Sequence, residues 1–191
     1  MNHYIYRSSL NFSIFALLIC LGSSSPLISR AGASEASERP EQLNGGYYLL
    51  HHVCEDETNL PLLVAIKHTP PEIASYVDKI AKTSRESITA LDRLQKGDAT
   101  LQSDKNPLPP IERDVRQSIR DDKEHQLLFG TTDTEFVRAL LVSQIEASGY
   151  ALNLAKVLSE QEKNPDRVKA LQHISAKWLT IRNEAYRLLR T

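Results

Sequence analysis

The stretch TDTEFVRALLVSQIEASGYALNLAKVLSEQEKNPDRVKALQHISAKWLTIRNEAYRLL, residues 132–189, decides the fold. In its first half Phe136, Leu140, Gln144, Ala147, Ala151, Leu154 and Leu158 recur at spacings of three and four, which lays them along one face of an α-helix. In its second half Val168, Leu171, Ser175, Trp178, Arg182, Ala185 and Leu189 do the same. Each stripe needs a partner, and the short Glu162-Lys163-Asn164-Pro165 link makes the two runs antiparallel neighbours. The punctuation agrees. Thr132 is followed three residues later by Glu135, a capping box, and Asn164-Pro165-Asp166 sets a capping amide, a Pro at the first helical position and an acid in the first turn.

Working upstream, Leu50, Val53, Glu57, Leu60 and Val64 form the inward stripe of a first helix that starts near Leu43 or Gly46 and runs to about Lys67. Pro61 falls inside it, where it removes a backbone donor and predicts a kink, with Asp56 or Glu57 beside the freed carbonyl. Thr69-Pro70-Pro71-Glu72 closes that helix and opens a second, whose face is Ile73, Tyr76, Val77, Ile80, Ser84, Ile88, Leu91 and Leu94, through about Gln95. From Ala99 to Pro110 the residues are those of a surface loop. A charged helix follows from Ile111 to about Lys123, with Ile111, Val115 and Ile119 expected to lie against the rest, and then Leu127-Leu128-Phe129-Gly130 as an apolar plug. No period-two pattern persists. The expected architecture is all-α: an antiparallel four-helix bundle over residues 45–191, with an extra short helix in the connection between its second and third helices.

The chain opens with Arg7 and a ten-residue apolar run, Phe12 to Leu21, too short to span a bilayer and suited to a signal-peptide core. Ala31-Gly32-Ala33 supplies small residues for cleavage, so residues 1–33 are expected to be a signal peptide and 34–44 a disordered leader. A lipid anchor at Cys20 is disfavoured, because the bulky Ile19 stands where a small residue is wanted. Cleavage before Ser34 leaves 158 of 191 residues, enough for one continuous core. Arg7 and Arg30 leave with the leader, so 21 basic residues face 24 acidic ones for a net charge of −3. With no basic block interleaved with aromatics, nucleic acid is not an expected partner. No transmembrane helix is expected in the mature chain. Cys54 then has no cysteine to pair with, and is expected to pack as a small apolar side chain.

The sequence carries no Gly-x-Ser-x-Gly, no Ser/His/Asp set and no glycine-rich phosphate loop, so no catalytic residue is assigned. What stands out is polarity inside the stripes. Glu57, Ser84, Gln144, Ser148, Ser175 and Arg182 occupy inward positions. One reading makes the serines small residues that let helices approach and either pairs Glu57 with Arg182 or leaves it at the edge of the stripe; the other makes Glu57, Ser84, Gln144, Ser148 and Arg182 a polar core pocket. Outside the stripes, His51 with Glu55 and His52 with Asp56 are spaced to share helix faces. They are either ion-paired surface residues or half of a metal site that needs a ligand from another helix, which makes a metal ion the one cofactor left open.

A resemblance joins these residues. Glu57-Thr58-Asn59-Leu60-Pro61-Leu62-Leu63-Val64-Ala65, then Thr69-Pro70-Pro71-Glu72-Ile73, Tyr76-Val77-Asp78-Lys79-Ile80, Leu108-Pro109 before a charged helix, and Phe129-Gly130 before Phe136-Val137-Arg138-Ala139 resemble an exported, ferritin-like bacterial family of unknown function, over residues 45–189. The resemblance implies a ferritin-like bundle and, in its relatives, a histidine late in the second helix and another in the third. Here those positions are Ser84 and Ser148, and a hydroxyl is a poor ligand beside imidazole, so the family's metal role does not carry over. The functional expectation is an exported, non-enzymatic bundle in the bacterial periplasm or secreted, binding an unknown protein or small-molecule partner. The alternative is a metal-binding or stress-related ferritin-like protein using His51, His52, Glu55 and Asp56.

Overall fold

The computed structural model describes residues 35–67, 69–98, 101, 106–129 and 132–191, with side chains from residue 42 onward. The expected signal peptide, Cys20 and His68 lie outside the described residues, as does most of the polar stretch after α3. The described residues form six helices and no strand. They are α1 (Glu35–Glu57), α2 (Leu60–Ile66), α3 (Pro71–Gly97), α4 (Pro110–Phe129), α5 (Asp133–Gln161) and α6 (Pro165–Leu188).

The caps decide where α5 and α6 begin. The Thr132 hydroxyl accepts from Glu135 N while the Glu135 carboxylate accepts from Thr132 N at 3.0 Å, which closes the capping box. Asn164 Oδ1 accepts from Asp166 N (3.0 Å) and Arg167 N (3.2 Å), with Pro165 in the first turn. On α5 the stripe is buried except for Leu154, which packs at the core's edge. On α6 the buried line is Leu171, Ile174, Trp178, Ile181, Ala185 and Leu188. It is turned from the expected stripe, so Ser175 and Arg182 lie half-buried on its flank. A helix packed on two neighbours buries a band wider than a single three-four stripe, and the apolar Ile174 and Ile181 take its centre.

Cross-helix contacts give the direction of each pair. Ser175 Oγ donates to Leu152 O and Arg182 lies beside Gly149, so α5 and α6 are antiparallel. Gly46 lies against Leu158 while Glu57 is near Gln144, so α1 opposes α5. His51 meets Asp92 and Cys54 meets Ser87, so α1 opposes α3. Lys79–Glu184 and Lys177–Glu86, each 2.6 Å, set α3 against α6. The four long helices therefore touch in a closed circuit, α1–α3–α6–α5, with α1 and α6 pointing one way and α3 and α5 the other.

That arrangement forces a crossover. The chain leaves α3 at the end where α5 finishes and must travel the length of the molecule to start α5. The 20 residues of α4 span roughly 30 Å at the helical rise and supply that distance. Lys123 reaches Glu146 at 3.3 Å and Arg116 the Tyr150 hydroxyl, so α4 runs antiparallel to α5, while Arg120 reaches Asp56 on α1 at 3.8 Å.

Four expectations need correcting. First, α1 begins at Glu35 and not near Leu43, over residues expected to form a leader. Glu, Ala, Arg and Gln there favour helix, which continues through Pro40 although that residue supplies no backbone donor, and no apolar periodicity marks the start. Second, Pro61 does not kink a continuous helix. Helix α1 ends at Glu57, Thr58-Asn59 turns, and Pro61 enters the first turn of α2, where its missing donor costs no bond. Third, α4 extends to Phe129 and absorbs the expected plug, because Lys123 to Phe129 contains no breaker. Fourth, Ile111 is 78% exposed and Val115 is exposed too; Leu127 is the residue that α4 buries.

Candidate functional site

Three places bring together chemistry-bearing side chains. The first is the centre of the core. Glu57 on α1 is fully buried, and neither carboxylate oxygen makes a hydrogen bond among the described residues. Burial pushes its carboxyl up to about 8, the neighbouring Asp56 charge adds to the rise, and the nearby Gln144 amide opposes it. The carboxyl is therefore protonated at neutral pH. Around it the Tyr76 phenol and the Cys54 thiol are both pushed up by burial and, more weakly, by the Glu57 charge. Ser84 and Gln144 are buried with side chains that lack hydrogen-bond partners, whereas Ser148 Oγ donates back to Gln144 O within its own helix. Arg182 does not join this group. It stands 5.5 Å over the Tyr186 ring and beside Gly149, and forms no ion pair with Glu57. Of the expected polar pocket, Glu57 and Gln144 come together at the centre, and Arg182 is left on the flank. Cys54 is buried, as its apolar reading required.

The second place is the row of imidazoles and acids on α1. His51 Nδ1 lies 3.5 Å from Glu55 and its Nε2 3.1 Å from Asp92 on α3. His52 Nδ1 lies between Glu55 (3.8 Å) and Asp56 (3.6 Å), and Asp56 is buried with Arg120 at 3.8 Å. Both expected four-apart pairs form, and α3 does add a carboxylate. Yet both nitrogens of His51 already face acids, so the ring serves as a linker between carboxylates. Among the described residues no group of three or more His, Cys, Asp or Glu side chains is disposed to hold a metal ion. His125 and His173 are exposed.

The third place is the two sides of α4. Between α4 and α5 lies a groove of about 560 Å³, with Leu127, Ala139 and Val142 as apolar lining and Lys123, Arg138 and Glu146 as charged lining. Lys123 and Glu146 pair with each other, and Glu135, also in the lining, is engaged in the Thr132 cap. Arg138 makes no ion pair among the described residues. Between α1 and α4 lies a smaller cavity of about 300 Å³, bounded by His52 and by Arg113, Arg116 and Arg120.

The sequence reading missed both. Apolar spacing in α4 points only to the stripe Ile111–Val115–Ile119, although Arg113, Arg116 and Arg120 stand at equally helical spacing in the same segment. Asp92 had no signal to distinguish it from any surface acid.

Compared with known protein families, curated proteins and solved structures, the chain matches none.

Proposed function

We propose that this protein is an exported, non-enzymatic antiparallel four-helix bundle of ferritin-like type, a member of the exported bacterial family it resembles, and that it binds a small amphipathic ligand with an anionic head in the groove between α4 and α5. The observation that carries the reading is the groove itself. Its volume falls within the roughly 300–1,000 Å³ usual for small-molecule sites. Leu127, Ala139 and Val142 offer an apolar chain somewhere to lie, and Arg138 is the lining cation without an acid, which favours a carboxylate head. The up-down-down-up course of the long helices, with α4 as the crossover, supports the ferritin-like assignment. Among the described residues no helix is long and apolar enough to cross a membrane.

The test is titration with a fluorescent polyene fatty acid. Saturable binding by the natural sequence, weakened about tenfold or more in Ala139→Trp with the helical circular dichroism unchanged, supports the reading; a tenfold change corresponds to about 1.4 kcal/mol. Absence of binding, or equal binding by the filled-groove variant, overturns it. The metal-binding alternative has one contact in its favour, Asp92 closing on His51 from a second helix, and the linker geometry of His51 against it.

A further inference from the structure

The cavity between α1 and α4 is separate from the groove above and has different chemistry. Helix α4 presents Arg113, Arg116 and Arg120 at spacings of three and four, along one face, and all three line the cavity with His52 of α1. Three guanidinium groups on one wall are costly to hold together unless something answers their charge. The acids nearby answer only part of it. Glu112 accepts from Arg116 Nε at 2.7 Å, and Arg116 also reaches the Tyr150 hydroxyl on α5. Asp56 approaches Arg120 to 3.8 Å and Gln117 Oε1 accepts from Arg120 Nη2, but Arg120 Nε, on a side chain 15% exposed, is buried without a hydrogen-bond partner. The Arg113 side chain has no hydrogen bond or ion pair among the described residues. Asp114 also lines the cavity but is exposed, where water screens it.

Guanidinium groups present several N–H donors in a fixed fork, and the group that satisfies several such forks at once is a tetrahedral oxyanion. At about 300 Å³ the cavity admits a phosphate group and excludes an extended nucleic-acid strand, in keeping with the lack of a basic surface block.

We propose that the α1–α4 cavity binds a phosphate group, either free phosphate or the phosphate of a lipid headgroup, through Arg113, Arg116 and Arg120. The ligand neutralises the arginine row of α4. Binding tightens as ionic strength falls, because part of the cavity is open to solvent.

The experiment has two arms, each run on the natural sequence and on Arg113→Gln. That side chain is exposed and touches nothing the fold needs, so the variant keeps its structure, checked by its thermal transition. In one arm inorganic phosphate is titrated calorimetrically. In the other the protein is floated with phosphatidylcholine vesicles with and without phosphatidylglycerol. Phosphate binding weakened about tenfold or more in Arg113→Gln identifies free phosphate, on the scale of a lost charge-assisted hydrogen bond. Flotation that needs phosphatidylglycerol and is lost in the same variant identifies the headgroup. Either result supports the proposal. Failure of both arms, or binding that Arg113→Gln leaves unchanged, overturns it.

Discussion

Tyr47 on α1 donates its phenolic hydrogen to Glu162 Oε2 at 3.0 Å, tying α1 to the turn between α5 and α6, 115 residues further along the chain. Arg167 Nε lies 3.1 Å from the same oxygen and Arg167 Nη1 lies 3.2 Å from Asp98 at the end of α3. Glu162 Oε1 accepts from the backbone of Lys163 (2.8 Å) and Asn164 (3.1 Å). One buried carboxylate thus gathers three parts of the chain, and burial together with its charge holds the Tyr47 phenol well above the usual tyrosine range.

Removing the Tyr47 hydroxyl leaves that carboxylate short of a donor. Tyr47→Phe is expected to lower the unfolding free energy by about 1.5–3 kcal/mol, the scale of a hydrogen bond to a charged group. Urea denaturation measures it, with the slope unchanged because the same surface is exposed on unfolding. A midpoint equal to that of the natural sequence would contradict the role given to this contact.

Glu57 predicts a pH dependence with a definite sign. Its carboxyl titrates near 8 in the folded chain and near the ordinary 4.5 when unfolded, so the folded state holds the proton more tightly. The corresponding stability is present in full below pH 4.5, falls as pH rises from about 4.5 to about 8, and is gone above that. At about 1.4 kcal/mol per unit the loss is of order a few kcal/mol. Glu57→Gln, which cannot ionise, is expected to unfold at a higher temperature than the natural sequence at pH 8 and to show a flatter pH profile. A variant with the same slope between pH 5 and 8 would assign that dependence elsewhere.

Two glycines should respond to substitution in opposite directions. A Cβ on Gly46 would stand 2.5 Å from Leu158 Cδ2, inside the α1–α5 contact, so Gly46→Val is expected to destabilise by about 1–3 kcal/mol through overpacking. A Cβ on Gly149 would meet nothing nearer than Arg182 Nε at 3.8 Å. Gly149→Ala is expected to stabilise by about 0.5–1 kcal/mol, since a mid-helix glycine loses more backbone entropy than alanine. Thermal melts of the two variants on either side of the natural sequence would bear this out, and a loss of stability in Gly149→Ala would not.

The all-helical class and the α5–α6 hairpin were legible because Thr132, Glu135, Asn164 and Pro165 mark helix ends chemically, and because apolar spacing marks buried faces. The same tools went wrong where helix and burial part company. Residues 35–42 form helix although their sequence carries no apolar spacing, and Ile111 and Val115 carry apolar spacing on a face that stays exposed. Glu57 could be named from its place in a stripe, but its isolation from Arg182 depended on which way α6 turns about its axis, and Ile174 and Ile181 set that. The cavities beside α4 exist only once the crossover lies along α1 and α5. No spacing within one helix encodes that relation.

The most direct test of the central claim is to map amide chemical shifts of the labelled protein while decanoate, a small anionic amphiphile, is added. The expected result is saturable shifts concentrated at Leu127 of α4 and at Arg138, Ala139, Val142 and Ser143 of α5, the lining of the groove. Shifts scattered over the surface, or none at concentrations below micelle formation, would contradict the claim.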